Sequence, residues 1–381
     1  MLNLVREHQP VSRADLARRM QIGRGVVTAL VDELIRDCAI YESTTADAPR
    51  GRKPMMLHVR TSDRLAIAID IRFSRTYLMV SDFSGVTISL EAFDTIADPS
   101  ALVAELARRI ARLRKIHKTA RCRGIGLVVP GMVDHATGRV LNAPQLGWRN
   151  VDVRDALAKR TGLDVHVDNA SAACALAQMW LGTHGPETPR DFVYVTVGDG
   201  VGSSIVVNGE IVRGHGSTAG EFGHVPLDPR GPRCLCGSRG CLESYASNLA
   251  TMSRYLGKQF SPGEARGLLL TSGVTIEDVI QRAKDGDQRA RRALETTARH
   301  LGSGLAAIIN ALNPAQIFVG GEITEVWTQL SPIIRGVVAH RALTPSAGET
   351  PIVPDPSSVY PRLRGAIALV AAPAFAAPRV A

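Results

Sequence analysis

The residues best suited to chemistry lie between Ala219 and Glu243, in the run AGEFGHVPLDPRGPRCLCGSRGCLE. Three of the chain's six cysteines, Cys234, Cys236 and Cys241, crowd into it, and His224 precedes them on the same Gly/Pro-rich stretch. Three thiolates and an imidazole complete a tetrahedral shell for a structural Zn2+, and the glycines and prolines let the loop wrap a small ion. The alternative, three buried cysteines beside an unrelated histidine, asks for a crowded coincidence. Glu221 and Glu243 flank the cluster, where a carboxylate beside a metal loop serves to bind something polar; on spacing alone they could also be solvated surface charge.

Elements must position this loop, and length bounds how many. A chain of 381 residues with 45% hydrophobic and 21% charged content is expected to form two or three globular domains. No apolar run approaches a membrane span, and the N-terminus MLNLVREHQPVSRADLARR lacks a signal-peptide core. A cytoplasmic location is expected, where thiols stay reduced and clustered cysteines favour metal. Cys38, Cys122 and Cys174 read as buried small apolar residues. The net charge of +9 permits nucleic-acid binding without establishing it, because residues 1–60 hold ten Lys/Arg against seven Asp/Glu.

Pattern makes the stronger case for DNA. Residues 2–8 form a short helix that Pro10 stops. Ser12 caps a second helix, with Asp15 three residues on, and Gln21-Ile22-Gly23 turns into a third, RGVVTALVDELIRD. Val27, Leu30, Val31 and Leu34 make its apolar face. Strands 39–42 and 55–60 flank a polar loop ending in Arg50-Gly51-Arg52-Lys53-Pro54. Three short helices and a hairpin make a winged helix-turn-helix, with Arg24 and Thr28 facing base edges and Arg52 and Lys53 on the wing. A helical oligomerisation module with a solvated basic loop is the competing reading.

From Leu65 the texture becomes α/β: three strands (LAIAID, TYLMVSD, VTISLEAF), a long helix over 99–118, a strand into GIGLVVPGMVD, then VHVDNA and a helix SAACALAQMWLG. A second lobe opens with FVYVTVGDGVGSSIVVNGEIV. In its last long helix Leu294, Ala298, Leu301, Leu305, Ile308 and Leu312 are expected to form one buried stripe. The final GAIALVAAPAF is expected to pack as a helix on the first lobe.

The segments GEFGH and CLCGSRGCLE, in that order behind SRADLA and GRKP, resemble the ROK family of repressors, open reading frames and sugar kinases. The resemblance implies a winged helix-turn-helix over 1–60, a first actin-like lobe over 61–180 completed by a C-terminal helix over 365–381, and a second lobe with the zinc loop over 181–364. The two lobes together are a sugar kinase/hexokinase type ATPase fold. It also implies that Asn169, Glu221, His224 and Glu243 contact sugar hydroxyls, and that the protein is a homodimer or homotetramer on a double-stranded operator.

The family's kinases carry Asp-x-Gly-x-Thr-Lys in the first phosphate loop, where this chain has Asp70-Ile71-Arg72-Phe73-Ser74-Arg75. Arg72 would occupy the phosphate's space. In the second loop, Gly198-Asp199-Gly200, a carboxylate replaces threonine. The family's general base, the Asp of Glu-Asn-Asp-Ala-Asn-Ala, is matched by Ala170, and a methyl group accepts no proton. The resemblance is therefore to a transcriptional regulator, expected to be a repressor, that senses a sugar and has no catalytic residue. An active sugar kinase with a DNA-binding head, and a regulator answering to a protein partner or no sugar, are the alternatives.

Overall fold

The computed structural model describes residues 1–37, 39–44, 55–60, 64–117, 122–181, 189–258, 261 and 271–375. Its first sixty residues form α1 (Leu2–His8), β1 (Val11–Ser12), α2 (Arg13–Met20), α3 (Arg24–Arg36), β2 (Ile40–Thr44) and β3 (Met55–Val59). The Ser12 hydroxyl and the Asp15 carboxylate cap α2 reciprocally, as the sequence predicts. Gln21 makes the turn in the left-handed region at φ 55°. Burial of Val27 and Val31 fixes the rotation of α3, while Leu30 and Leu34 are half-buried. The hairpin gains a third, two-residue strand: β1 pairs with β3, which pairs with β2. Two residues carry no periodicity, so β1 is invisible in the sequence.

Two five-stranded sheets follow, one per lobe. In the first, β4 (Leu65–Ile71), β5 (Arg75–Asp82) and β6 (Thr87–Asp94) form an antiparallel meander. After α4 (Pro99–Ile116), β7 (Cys122–Val129) returns parallel to β4. A small sheet of β8 (Met132–Val133), β9 (Val140–Ala143) and β10 (Trp148–Val151) leads through α5 (Val153–Thr161) to β11 (Val165–Asn169), parallel to β7. Then α6 (Ala170–Leu181) closes the lobe.

The second sheet repeats that plan. β12 (Phe192–Val197), β13 (Val201–Val207) and β14 (Glu210–Ile211) run antiparallel to one another. The metal loop, α7 (Glu243–Ala246), α8 (Asn248–Tyr255), α9 (Ile276–Lys284) and α10 (Gln288–Leu312) come before β15 (Gln316–Gly321), which pairs parallel with β12. α11 (Trp327–Arg341), α12 (Pro345–Gly348) and β16 (Ile352–Asp355) complete it. The predicted stripe along α10 is buried except at Leu312, the last residue of the helix, which is 38% exposed.

The last helix, α13 (Pro361–Phe375), crosses back onto the first lobe and starts a turn earlier than the sequence suggests. It sits directly on β7: a Cβ at Gly126 would lie 1.8 Å from the Ala366 carbonyl oxygen. Its buried face shares one apolar cluster with the tail of α6 and the winged helix, from Val5 and Val59 to Ala366 and Ile367, with Leu2, Trp180 and Leu181 packed against it. Cys174 is buried in a separate cluster against Phe192, Tyr194 and Phe318 of the second sheet, but Cys122, the first residue of β7, is only half-buried; Cys38 lies outside the described residues. Among the described residues no helix is long and apolar enough to cross a membrane.

Candidate functional site

The site lies in the cleft where the ends of both sheets face each other. Asn169 ends β11, and its side-chain oxygen accepts from the Ser171 hydroxyl at 3.0 Å and the Ala172 amide at 2.8 Å, so it caps α6. The β12–β13 turn, Gly198–Asp199–Gly200, forms the facing rim, and Glu221, His224 and Glu243 close one wall. The cleft is open to solvent, with an enclosed volume of about 100 Å3. All four residues predicted to grip a sugar line it, as does Ala170.

Burial pushes Glu243 above the usual carboxylate range, although nearby His224 and the Val201 amide, which donates to it at 3.0 Å, pull the other way. Burial raises Glu221 as well, opposed by His224 and reinforced by Glu243. Two carboxyls beside an imidazole offer hydrogen-bond acceptors suited to hydroxyl groups.

The four predicted metal ligands come together. One donor atom from each of His224, Cys234, Cys236 and Cys241 lies within 4.8 Å of every other. Cys234 Sγ is 3.7 Å from His224 Nδ1, and Cys236 Sγ is 3.7 Å from Cys241 Sγ. Zinc–sulfur bonds of about 2.3 Å in a tetrahedron place two sulfurs about 3.8 Å apart, the spacing of Cys236 and Cys241, so the cluster could hold a metal ion such as Zn2+. Antiparallel bridges Pro226–Cys241 and Arg233–Arg239 hold the loop. Gly240 is required there, since it sits at φ +69° and a Cβ would lie 1.6 Å from the Asp228 carbonyl oxygen. Burial pushes the Cys234 thiol far up and Cys241 to about 11; around Cys236, hydrogen bonds from Ser238 and the neighbouring thiols outweigh burial and lower it. Buried thiols that resist ionisation unaided are what a bound cation deprotonates. His224 Nε2 points the other way, 3.7 Å from Glu221 Oε2.

The residues expected to spoil a phosphate site are engaged with each other across the cleft. Arg72 Nε donates to Asp70 at 2.8 Å and Nη1 donates to Glu322 of the other lobe at 2.7 Å, with the guanidinium 4.8 Å above the Tyr77 ring. Arg362 of α13 pairs with Asp70 at 2.7 Å, and Asn248 donates to Glu322 at 2.8 Å. Asp199 is half-buried beside them. Burial and Glu322 raise its pKa to about 6, against the pull of Arg72, Arg362 and the Phe73 backbone. Asp199 is thus a carboxylate of raised pKa beside a lobe-bridging network, still largely ionised at neutral pH, as the sequence suggests.

A second bridge joins the lobes at Asp168, which lines no part of the cleft. Arg213 grips it bidentately at 3.0 and 2.7 Å, with His135 at 3.7 Å. Burial works against its charge, but His135 and Arg213 hold its pKa below the usual value. Sequence reasoning missed Arg213, Glu322 and Arg362. Only Glu322 carried a signal, an acid just after the Gly320-Gly321 turn; Arg362 lies in a helix assigned to packing.

In the winged helix, Arg24 and Thr28 stand exposed on the first turns of α3. Arg13 ties that helix down through Asp32 at 2.8 Å and Glu42 at 2.9 Å. Arg52 and Lys53 lie outside the described residues.

The ROK family profile matches residues 66–372, most of the chain. The chain belongs to the ROK family. Among its relatives, the xylose repressor of Caldicellulosiruptor bescii is 29% identical over 354 residues, covering 90% of this chain and 87% of that protein. The DNA-binding transcriptional dual regulator NagC of Escherichia coli is 28% identical, covering 92% and 86%. A solved ROK family transcriptional regulator, described as a homologue of the E. coli MLC protein, superposes with TM-score 0.78 at 27% identity over 97% of this chain and 95% of that one. A ROK glucokinase from Streptomyces griseus, solved with glucose and AMPPNP, superposes at 0.69 and 26% identity over 79% of this chain and 97% of its own. The actin-like two-lobed architecture is common to both, and the regulator covers the winged helix too.

Proposed function

We propose that the chain is a transcriptional repressor whose winged helix binds an operator, whose affinity for it is set by a neutral or amino sugar, and which transfers no phosphate. The observation that carries this reading is the Arg72–Asp70–Glu322 network filling the approach to the first phosphate loop, with Ala170 where a proton acceptor would stand. Phosphoryl transfer is almost wholly positioning and charge stabilisation, and here those groups are occupied with each other. The repressor names of the relatives support the same reading. The competing kinase reading draws on Glu221, His224 and Glu243 lining the cleft and on the similarity to a glucokinase.

The chain divides, in this proposal, into residues 1–60 as the DNA-binding head, 61–180 with 365–381 as one lobe, and 181–364 as the other. Zn2+ held by His224, Cys234, Cys236 and Cys241 would supply a closed, purely structural shell. His224 then turns its other nitrogen toward Glu221 and the ligand. A sugar hydroxyl donating to Asn169 competes with Ser171 and Ala172 for the oxygen that caps α6. The far end of α6, at Trp180 and Leu181, belongs to the apolar cluster that includes α1. Sugar binding is thereby linked to the head, and a change in head spacing breaks the fit of a homodimer, or a tetramer of such pairs, to two half-sites in cytoplasmic DNA. Linkage of this kind is typically worth about 1–3 kcal/mol.

The test is operator affinity of the full chain against a panel of monosaccharides, amino sugars and their phosphates. One unphosphorylated sugar is expected to change it at least fivefold, and Glu243→Ala to abolish that response with DNA binding retained. A response confined to sugar phosphates, or an unaltered response in Glu243→Ala, refutes the pocket; sugar-dependent ADP release by the unmodified protein promotes the kinase reading.

A further inference from the structure

The first two turns of α3 present an unusual inventory to solvent. With Val27 and Val31 fully buried, the rotation of the helix is fixed, and Arg24, Gly25, Val26, Thr28 and Ala29 face outward. Val26 is 55% exposed, and its β-branched side chain holds its two methyls in place rather than folding them away. The Thr28 hydroxyl already donates to the Arg24 carbonyl at 3.0 Å, which leaves its methyl and a lone pair outward. No Asn, Gln, Lys, Asp or Glu stands in these two turns, and the next acid, Asp32, is held by Arg13 at 2.8 Å. Arg13 Nη1 also donates to the Thr28 carbonyl at 3.4 Å, so α3 is anchored to α2 and β2 and presents this face rigidly.

A major groove offers donors, acceptors and one apolar group, the thymine 5-methyl. Among these side chains Arg24 alone is a donor with reach, suited to a guanine edge or a phosphate. The exposed apolar surface has one groove partner of matching chemistry. We infer that α3 reads its operator chiefly through thymine methyl groups, with Val26 as the residue that sets the preference. This rests on the DNA-binding reading above and narrows it to a class of sequence: half-sites with a thymine under the first turn of α3, beside the base or phosphate taken by Arg24.

The experiment selects duplexes from a random pool with the full-length chain. Each thymine of the selected half-site is then replaced singly by deoxyuridine, which deletes only the methyl group. At one or two positions the unmodified protein loses about fourfold in affinity per methyl, the scale of one buried methylene. Val26→Ala binds the parent duplex more weakly by a similar factor and is indifferent to deoxyuridine there, with a melting profile little changed because Val26 is more than half exposed and belongs to no buried cluster. Indifference of the unmodified protein at every thymine, or equal sensitivity in Val26→Ala, overturns the inference while the DNA-binding reading stands. Retention of no duplex at all removes both.

Discussion

Replacing Arg72 with alanine tests whether the lobes are held together by the chain itself where a kinase would use nucleotide. Asp70 is fully buried and keeps Arg362 at 2.7 Å after the change; among the described residues Glu322 keeps only the Asn248 amide at 2.8 Å. Removing one partner of a buried ion pair costs about 3–5 kcal/mol, and the surviving partners place this case near the lower end, at about 3 kcal/mol. At roughly 2–4 °C per kcal/mol for a domain of this size, the effector-domain transition should fall by about 6–12 °C at pH 7.5. The pH dependence supplies the sharper check. Asp199 has a folded pKa of about 6 against an ordinary 3.8, so the folded protein takes up a proton that the unfolded chain does not. Stability from that uptake is complete below about pH 4 and is lost as pH rises through 6. Arg72 is one of the two cations pulling Asp199 down. Its removal raises the folded pKa further, so the penalty of Arg72→Ala is largest at pH 7.5 and shrinks by pH 5.5. Thermal unfolding followed by circular dichroism at the two pH values reads both effects. An unchanged midpoint at pH 7.5, or a deficit that grows on acidification, refutes the network as a lobe-to-lobe tie.

Metal analysis of the purified protein should return one zinc per chain, and Cys241→Ser should lower that content and the midpoint together; well under one zinc with unoxidised thiols refutes the shell. A coupled assay should find no sugar-dependent ADP release, and Ala170→Asp should stay inactive at millimolar ATP, since a restored base leaves Arg72 in the phosphate approach; activity in that variant above a Glu221→Ala control refutes this. Trp180→Ala, at the far end of α6, should weaken the sugar's effect on operator affinity severalfold while sugar binding by calorimetry is kept, and an intact effect breaks the proposed link to the head.

What was legible in the sequence followed from how local the cause was. The metal loop needs four ligands within one stretch, and GEFGH with CLCGSRGC displays them all, so both the cluster and its geometry could be anticipated. The Ser12–Asp15 cap was equally local. The departures from the kinase pattern in the phosphate loops are visible residue by residue, but their partners are not. Arg72 reads as an obstruction and Asp199 as a repelling charge, but their partners Glu322 and Arg362 stand far from them in the chain. Only folding brings Arg362 within 2.7 Å of Asp70, and only burial turns Asp199 into an acid that titrates near 6. The same holds for Asn169. Its type and motif marked it as a sugar contact, while its second engagement, capping α6, depends on the turn from β11 into that helix. A residue that must choose between a helix and a ligand is a better candidate for a switch than one that only binds, and that choice exists only in three dimensions.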